Sequence, residues 1–258
     1  MKMGVRIMSD YKIWIDGKAV DGDYEMDVIN PATEETFATI GRSSVAQLEQ
    51  AIASAKAAQK KWAKTDMEVR RDALSAISTG IKARADEIAK VQTMEQGKPL
   101  AESIGEVAYT QVFLDHFVSF ELPVEVVQDD EEKRVEVHRK PLGVVACIVP
   151  WNFPLLIGAH KVALSLLAGN SCILKPAPTT PITAAIFAEI CADVLPPGLV
   201  NTINDENDLG GVLTGHPDIA KVSFTGSTET GKKVMETASG TMKRVTLECG
   251  GNDPAIVL

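Results

Sequence analysis

From residue 143 onward, short apolar runs alternate with longer amphipathic ones: VVACIVP, LLIGAHKVALSLLAG, SCILKP, TTPITAAIFAEICADVL, LVNTIN, DLGGVLTGHP, KVSFTG, STETGKKVMETAS and KRVTLECGG. Buried strands of about four to six residues separated by helices of about three turns define a parallel sheet with helices on its faces. The fold class predicted is therefore α/β, a doubly wound, Rossmann-like parallel sheet. Ligands of such sheets bind beyond the carboxyl ends of the strands. The positions to search are Pro150-Trp151-Asn152, Lys175-Pro176, Asn204-Asp205, Gly226-Ser227 and Glu248.

The residues before this region read differently. Between residues 12 and 40, β-like runs are broken by Asp16-Gly17, Asp21-Gly22 and Asn30-Pro31, which predicts a small hairpin region. Ser44 with Gln47 fits a capping box, and Val45, Leu48, Ile52, Ala55 and Trp62 recur at helical spacing, predicting a helix over residues 45–63. A second helical pattern carries Leu74, Ile77, Ile81 and Ile88 and stops near Gln96-Gly97-Lys98-Pro99; a third covers residues 100–120. Residues 122–140 alternate around the acidic tip 129–132 and predict a protruding β-hairpin. The tip reads as a solvated turn, while the apolar faces of such an arm require a cover and make it a candidate oligomerisation element.

Charge and cysteine usage exclude several function classes. With 26 Lys and Arg against 35 Asp and Glu, a net charge of -9 argues against nucleic acid as a partner. Four cysteines form no CxxC pair and have no histidine at ligand spacing, so no metal site is expected and they read as reduced thiols, each a small buried hydrophobe in a cytoplasmic protein. No run approaches the ~20 apolar residues of a membrane span, and the first residues lack a secretory pattern.

At the strand ends the residue types suggest chemistry. Gly226-Ser227-Thr228-Glu229-Thr230-Gly231-Lys232-Lys233 is a glycine turn opening a helix, whose free N–H groups and dipole suit a phosphate or pyrophosphate. It is not a P-loop, because Lys233 stands where Ser or Thr would hold Mg²⁺, and it lacks the GxGxxG spacing. Lys175 ends an apolar strand, where a cation bonds ribose hydroxyls or a phosphate. Asn152, held between Pro150 and Pro154, suits a donor to a developing oxyanion, and Glu248 suits a general base or an acceptor for the following glycine turn.

Glu95 with Gly97-Lys98-Pro99, then PLGVVACIVPWNFP, LAGNSCILKPAP, LPPGLVN, HPDIAKVSFTGSTETGKKV and LECGG follow in an order that resembles the NAD(P)-dependent aldehyde dehydrogenase superfamily along nearly the whole chain. The resemblance implies an enzyme that oxidises an aldehyde to a carboxylate through a cysteine thiohemiacetal, hydride transfer to the nicotinamide, and thioester hydrolysis. It implies that Asn152 donates to the oxyanion and Glu248 activates the deacylating water. Lys175 then binds the adenosine ribose, Trp151 and Ser227 contact the pyrophosphate, and Gly226 and Gly231 permit that approach. Residues 1–121 correspond to the hairpin and helical part of the cofactor-binding domain, 122–140 to an arm that joins subunits into a dimer or tetramer, and 141–258 to the dinucleotide-binding domain.

Three departures qualify it. Pro178 stands where the family often has a glutamate gripping the ribose, and Asp205-Glu206-Asn207 replaces a Gly-x-Gly, adding charge beside the adenine pocket. These pull in opposite directions, and NAD is expected as cofactor with NADP possible. The family's nucleophilic cysteine lies downstream of the glutamate in a second large domain, and none of Cys147, Cys172, Cys191 and Cys249 matches it. The expectation is an N-terminal portion without the catalytic domain, inactive alone, and the strand-like AIVL near the end favours truncation. The alternative is a naturally short, non-catalytic nucleotide-binding or interaction module; an acyl-phosphate reductase of the same superfold is disfavoured by Glu248.

Overall fold

The computed structural model describes residues 8–251 and 254–257. The chain begins with β1 (Met8–Tyr11), a hairpin of β2 (Ile13–Ile15) and β3 (Lys18–Val20), and an antiparallel pair, β4 (Tyr24–Asn30) and β5 (Glu35–Arg42), to which β1 adds in parallel. The β2–β3 turn places Asp16 and Gly17 at φ 55° and 70°, the left-handed pair that two-residue hairpins require. The predicted capping box opens α1 (Val45–Trp62): the Ser44 hydroxyl accepts from the Gln47 N–H and the Gln47 side chain from the Ser44 N–H.

The second helical pattern proves to be two helices, α2 (Met67–Ala83) and α3 (Ala85–Gln96). Arg84, at φ -112° and ψ 18°, breaks them, and its guanidinium is held by Glu87 at 2.8 Å and Glu189 at 2.7 Å. The apolar pattern misses the break because Ile81 and Ile88, two turns apart, both face the core. Gly97, at φ 90°, ends α3 before Pro99, and α4 (Leu100–Val118) follows. The hairpin of β6 (Glu125–Asp129) and β7 (Arg134–Val137) stands as predicted, with Val126, Val127, Val135 and Val137 exposed.

The remaining strands, β8 (Val144–Ile148), β9 (Ser171–Lys175), β10 (Val200–Thr202), β11 (Ile219–Gly226) and β12 (Arg244–Cys249), form one parallel sheet in the order β10-β9-β8-β11-β12. Helices α5 (Pro154–Leu167), α6 (Pro181–Val194), α7 (Gly210–Gly215) and α8 (Thr228–Ser239) connect them. Every residue of β8 and β9 is buried, which explains their unbroken apolar runs. Alternate residues serve opposite faces: Val145 and Cys147 join the core under α2, α5 and α6, whereas Val144, Ala146 and Ile148 join the core shared with α1 and α8. The edge strand β12 is half exposed, so Cys249 is exposed while Cys147, Cys172 and Cys191 are buried, correcting the expectation of four buried thiols.

Two glutamates from the N-terminal helices lock this sheet in place. Neither α5 nor α6 has a local side-chain cap. Glu106 of α4 instead accepts from the Leu155 and Leu156 N–H groups at 3.1 Å each, and Glu95 of α3 accepts from Ile182 at 2.8 Å and Thr183 at 2.9 Å. Burial pushes the Glu95 carboxyl from 4.5 up to about 7, outweighing the bonds from Thr183 and Ile182. The folded chain thus retains a proton that the unfolded chain releases, and Glu95 stabilises less as pH rises between these values. Relative to Glu95→Gln, the wild type is expected to lose roughly 3 kcal/mol between pH 4.5 and 7.5. Urea unfolding at the two pH values checks this; a constant difference between the proteins contradicts it.

Candidate active site

The strand order reverses between β8 and β11, and there, beyond the strand ends, lies a cleft of about 1100 Å³. Trp151, Asn152, Lys175, Gly226, Ser227 and Glu248 all line it. Gly231 does not: it is buried behind, where an added Cβ would meet the Cys249 sulfur at 2.7 Å, so its smallness brings α8 against β12. Gly226 makes room for the Phe224 ring, 2.6 Å from a hypothetical Cβ.

After β8 the chain turns through Trp151 and Asn152 into α5, and this turn is clamped from below. The Lys98 ammonium donates to the Asn152 carbonyl at 2.7 Å and to Glu106 at 2.5 Å, and lies 4.3 Å from the Phe153 ring centre. Glu106 in turn holds the first turn of α5, so one buried carboxylate fixes both flanks of Asn152. The Asn152 amide oxygen accepts from the Phe153 N–H at 3.0 Å. Its NH₂ group is then what it offers a ligand.

Lys175, at the end of β9, is buried in an ion pair with Asp205 at 2.5 Å, and the second Asp205 oxygen accepts from the Leu209 N–H at 2.9 Å. The charges expected beside the cleft are therefore distributed otherwise. Asp205 lies beneath Lys175, Glu206 and Asp208 turn to Arg42 at 2.7 and 2.8 Å, and only Asn207, at φ 71°, lines the cleft. At the β11–α8 turn, the Ser227 hydroxyl is the N-cap, accepting from the Thr230 N–H at 3.2 Å. The N–H groups before Thr230 are the ones a phosphate would use.

Glu248 accepts from the Thr225 hydroxyl at 2.9 Å and also borders a second, basic cleft of about 410 Å³ containing His160, Lys161, Lys221 and Arg244. Lys161 donates to Ser223 at 3.0 Å, and burial lowers the pKa of both Lys161 and His160. Lys98, Glu106 and Lys161 were not singled out as site residues in the sequence. For Lys161 the available signal was a single lysine in the mostly apolar α5.

A 3-2-1-4-5 strand order with a glycine turn opening a helix at the reversal defines the class of dinucleotide-binding α/β domains. The chain matches the aldehyde dehydrogenase family over residues 14–258 and belongs to it. It is 36% identical over 249 residues to 3,6-anhydro-alpha-L-galactose dehydrogenase of Streptomyces coelicolor, covering 92% of this chain and 51% of that protein. Betaine aldehyde dehydrogenase of Staphylococcus aureus, solved in complex with NAD+, superposes with a TM-score of 0.89 at 31% identity, over 93% of this chain and 50% of that one. An aldehyde dehydrogenase of Bartonella henselae gives 0.89 at 34%, over 94% and 52%. The chain thus spans about half the length of these relatives.

Proposed function

We propose that this chain supplies the dinucleotide site and two polar catalytic groups of an enzyme that oxidises an aldehyde to a carboxylate with NAD+. The observation that carries the reading is the convergence of Asn152, Lys175, Ser227 and Glu248 from four strand ends on one cleft. The first turn of α8 holds the pyrophosphate, with Trp151 beside it, and Lys175 bonds the adenosine ribose. A dinucleotide held by these residues would supply the hydride acceptor. The Asn152 amide donates to the oxyanion formed when a cysteine attacks the aldehyde carbon, and Glu248 takes a proton from the water that hydrolyses the thioester. We infer that this cysteine lies outside residues 1–258: Cys147, Cys172 and Cys191 are buried in the core, and Cys249, although exposed and bordering the cleft, directly follows Glu248 on β12 and does not match the family's nucleophile position.

The exposed valines of the β6–β7 hairpin support its use as a subunit contact in a homo-oligomer, and the four free thiols support a reducing, cytoplasmic setting. The edge-to-face cluster of Tyr109, Phe113, Phe117 and Phe120 on and after α4 supports an apolar wall for the aldehyde. Titration of the 258-residue chain with NAD+ and an aldehyde tests the reading. Weak, saturable NAD+ binding without NADH formation is expected; NADH formation by this chain alone would place the nucleophile within it.

A further inference from the structure

We propose that Asp205 makes this site select NAD over NADP, by neutralising Lys175 at the adenosine end of the cleft so that a ribose 2′-hydroxyl is accepted and a 2′-phosphate refused. The inference rests on the cofactor reading above. The ends of β9 and β11 are separated only by β8, hence by about 10 Å, so a nucleotide whose phosphates sit at the first turn of α8 presents its ribose at Lys175. Lys175 is 5% exposed and Asp205 1%, and their 2.5 Å pair has no net charge. The ammonium retains N–H groups for neutral hydroxyls. A phosphate ester, carrying about -1.5 to -2, needs an uncompensated cation when it leaves water.

Among the described residues no such cation stands near. Pro178, Asn207, Gly210, Gly211 and Thr214 complete this end of the cleft, and none is charged. Arg42, on β5, is held between Glu206 and Asp208, so the β9 end and the loop beneath it carry two cations against three carboxylates. Lys233, the other lysine lining the cleft, is 3.0 Å from Glu229 and shares α8 with Glu236. Pro178 offers no carboxylate to repel a phosphate, and Asp205 is the carboxylate paired with Lys175, so the refusal at this end of the cleft falls to it.

The adenosine half of the site lies within this chain, so the test compares 5′-AMP with adenosine 2′,5′-bisphosphate, which differ by the 2′-phosphate alone. In calorimetric titrations, the wild type is expected to bind 5′-AMP at least about tenfold more tightly. Asp205→Asn should erase that preference while changing 5′-AMP affinity less than about threefold. Because losing a buried carboxylate can unfold the chain, Pro178→Arg provides the second arm. It adds a cation at the cleft wall without touching the buried pair, and should raise bisphosphate affinity at least about tenfold. The proposal is overturned if either folded variant keeps the wild-type preference, or if the wild type shows none. If neither nucleotide binds the wild type at millimolar concentration, the cofactor reading itself fails, and the inference with it.

Discussion

Glu106→Ala is expected to cost the folded chain about 3–5 kcal/mol, a large part of the stability of a domain this size. The substitution strips Lys98 of its buried counter-charge, leaves the Leu155 and Leu156 N–H groups without a partner, and removes the acceptor of the Gln92 amide. Each orphaned donor is paid for in desolvation that water cannot restore, because Glu106 is 3% exposed. The double replacement Lys98→Met with Glu106→Leu should recover much of the loss, since no unpaired charge then remains inside. Denaturant unfolding of the three proteins measures this. A loss below about 1 kcal/mol for Glu106→Ala would mean that the clamp under Asn152 contributes little, and no recovery in the double variant would assign the loss to the orphaned Leu155, Leu156 and Gln92 donors instead of to the unpaired Lys98 charge.

Glu248→Gln should have the largest effect on activity. In a protein that joins these residues to the nucleophilic cysteine, steady-state turnover is expected to fall by about 10²–10⁴ while the first turnover still releases NADH. The reasoning is positional. Glu248 lines both the cleft at the strand ends and the second, basic cleft, and is oriented by the Thr225 hydroxyl at 2.9 Å. Glutamine retains the shape and loses the base. A stopped-flow burst followed by slow turnover supports the assignment, whereas unchanged steady-state turnover removes Glu248 from hydrolysis.

What was legible in the sequence follows from how each feature is encoded. Strands buried on both faces are written as continuous apolar runs, so β8, β9 and the residues directly after them could be found from one segment each. The capping box of α1 and the left-handed Gly97 are equally local. Features that depend on distant partners were not legible. Glu106 caps a helix 49 residues away, and Glu95 caps one 87 residues away. Asp205 read as charge added beside the adenine pocket because its partner, Lys175, belongs to a different strand end. Cys249 lies on a strand like the buried thiols, and only the sheet order shows β12 to be an edge.

In the proposed function this chain carries the dinucleotide half of an aldehyde dehydrogenase site, with the phosphates at the start of α8. Amide resonance mapping of the 258-residue chain titrated with NAD+ tests it most directly. Saturable shifts of Thr228, Glu229 and Thr230, together with residues around Lys175 and Trp151, are expected. Saturable shifts confined to other surfaces, or none at millimolar NAD+, would contradict it.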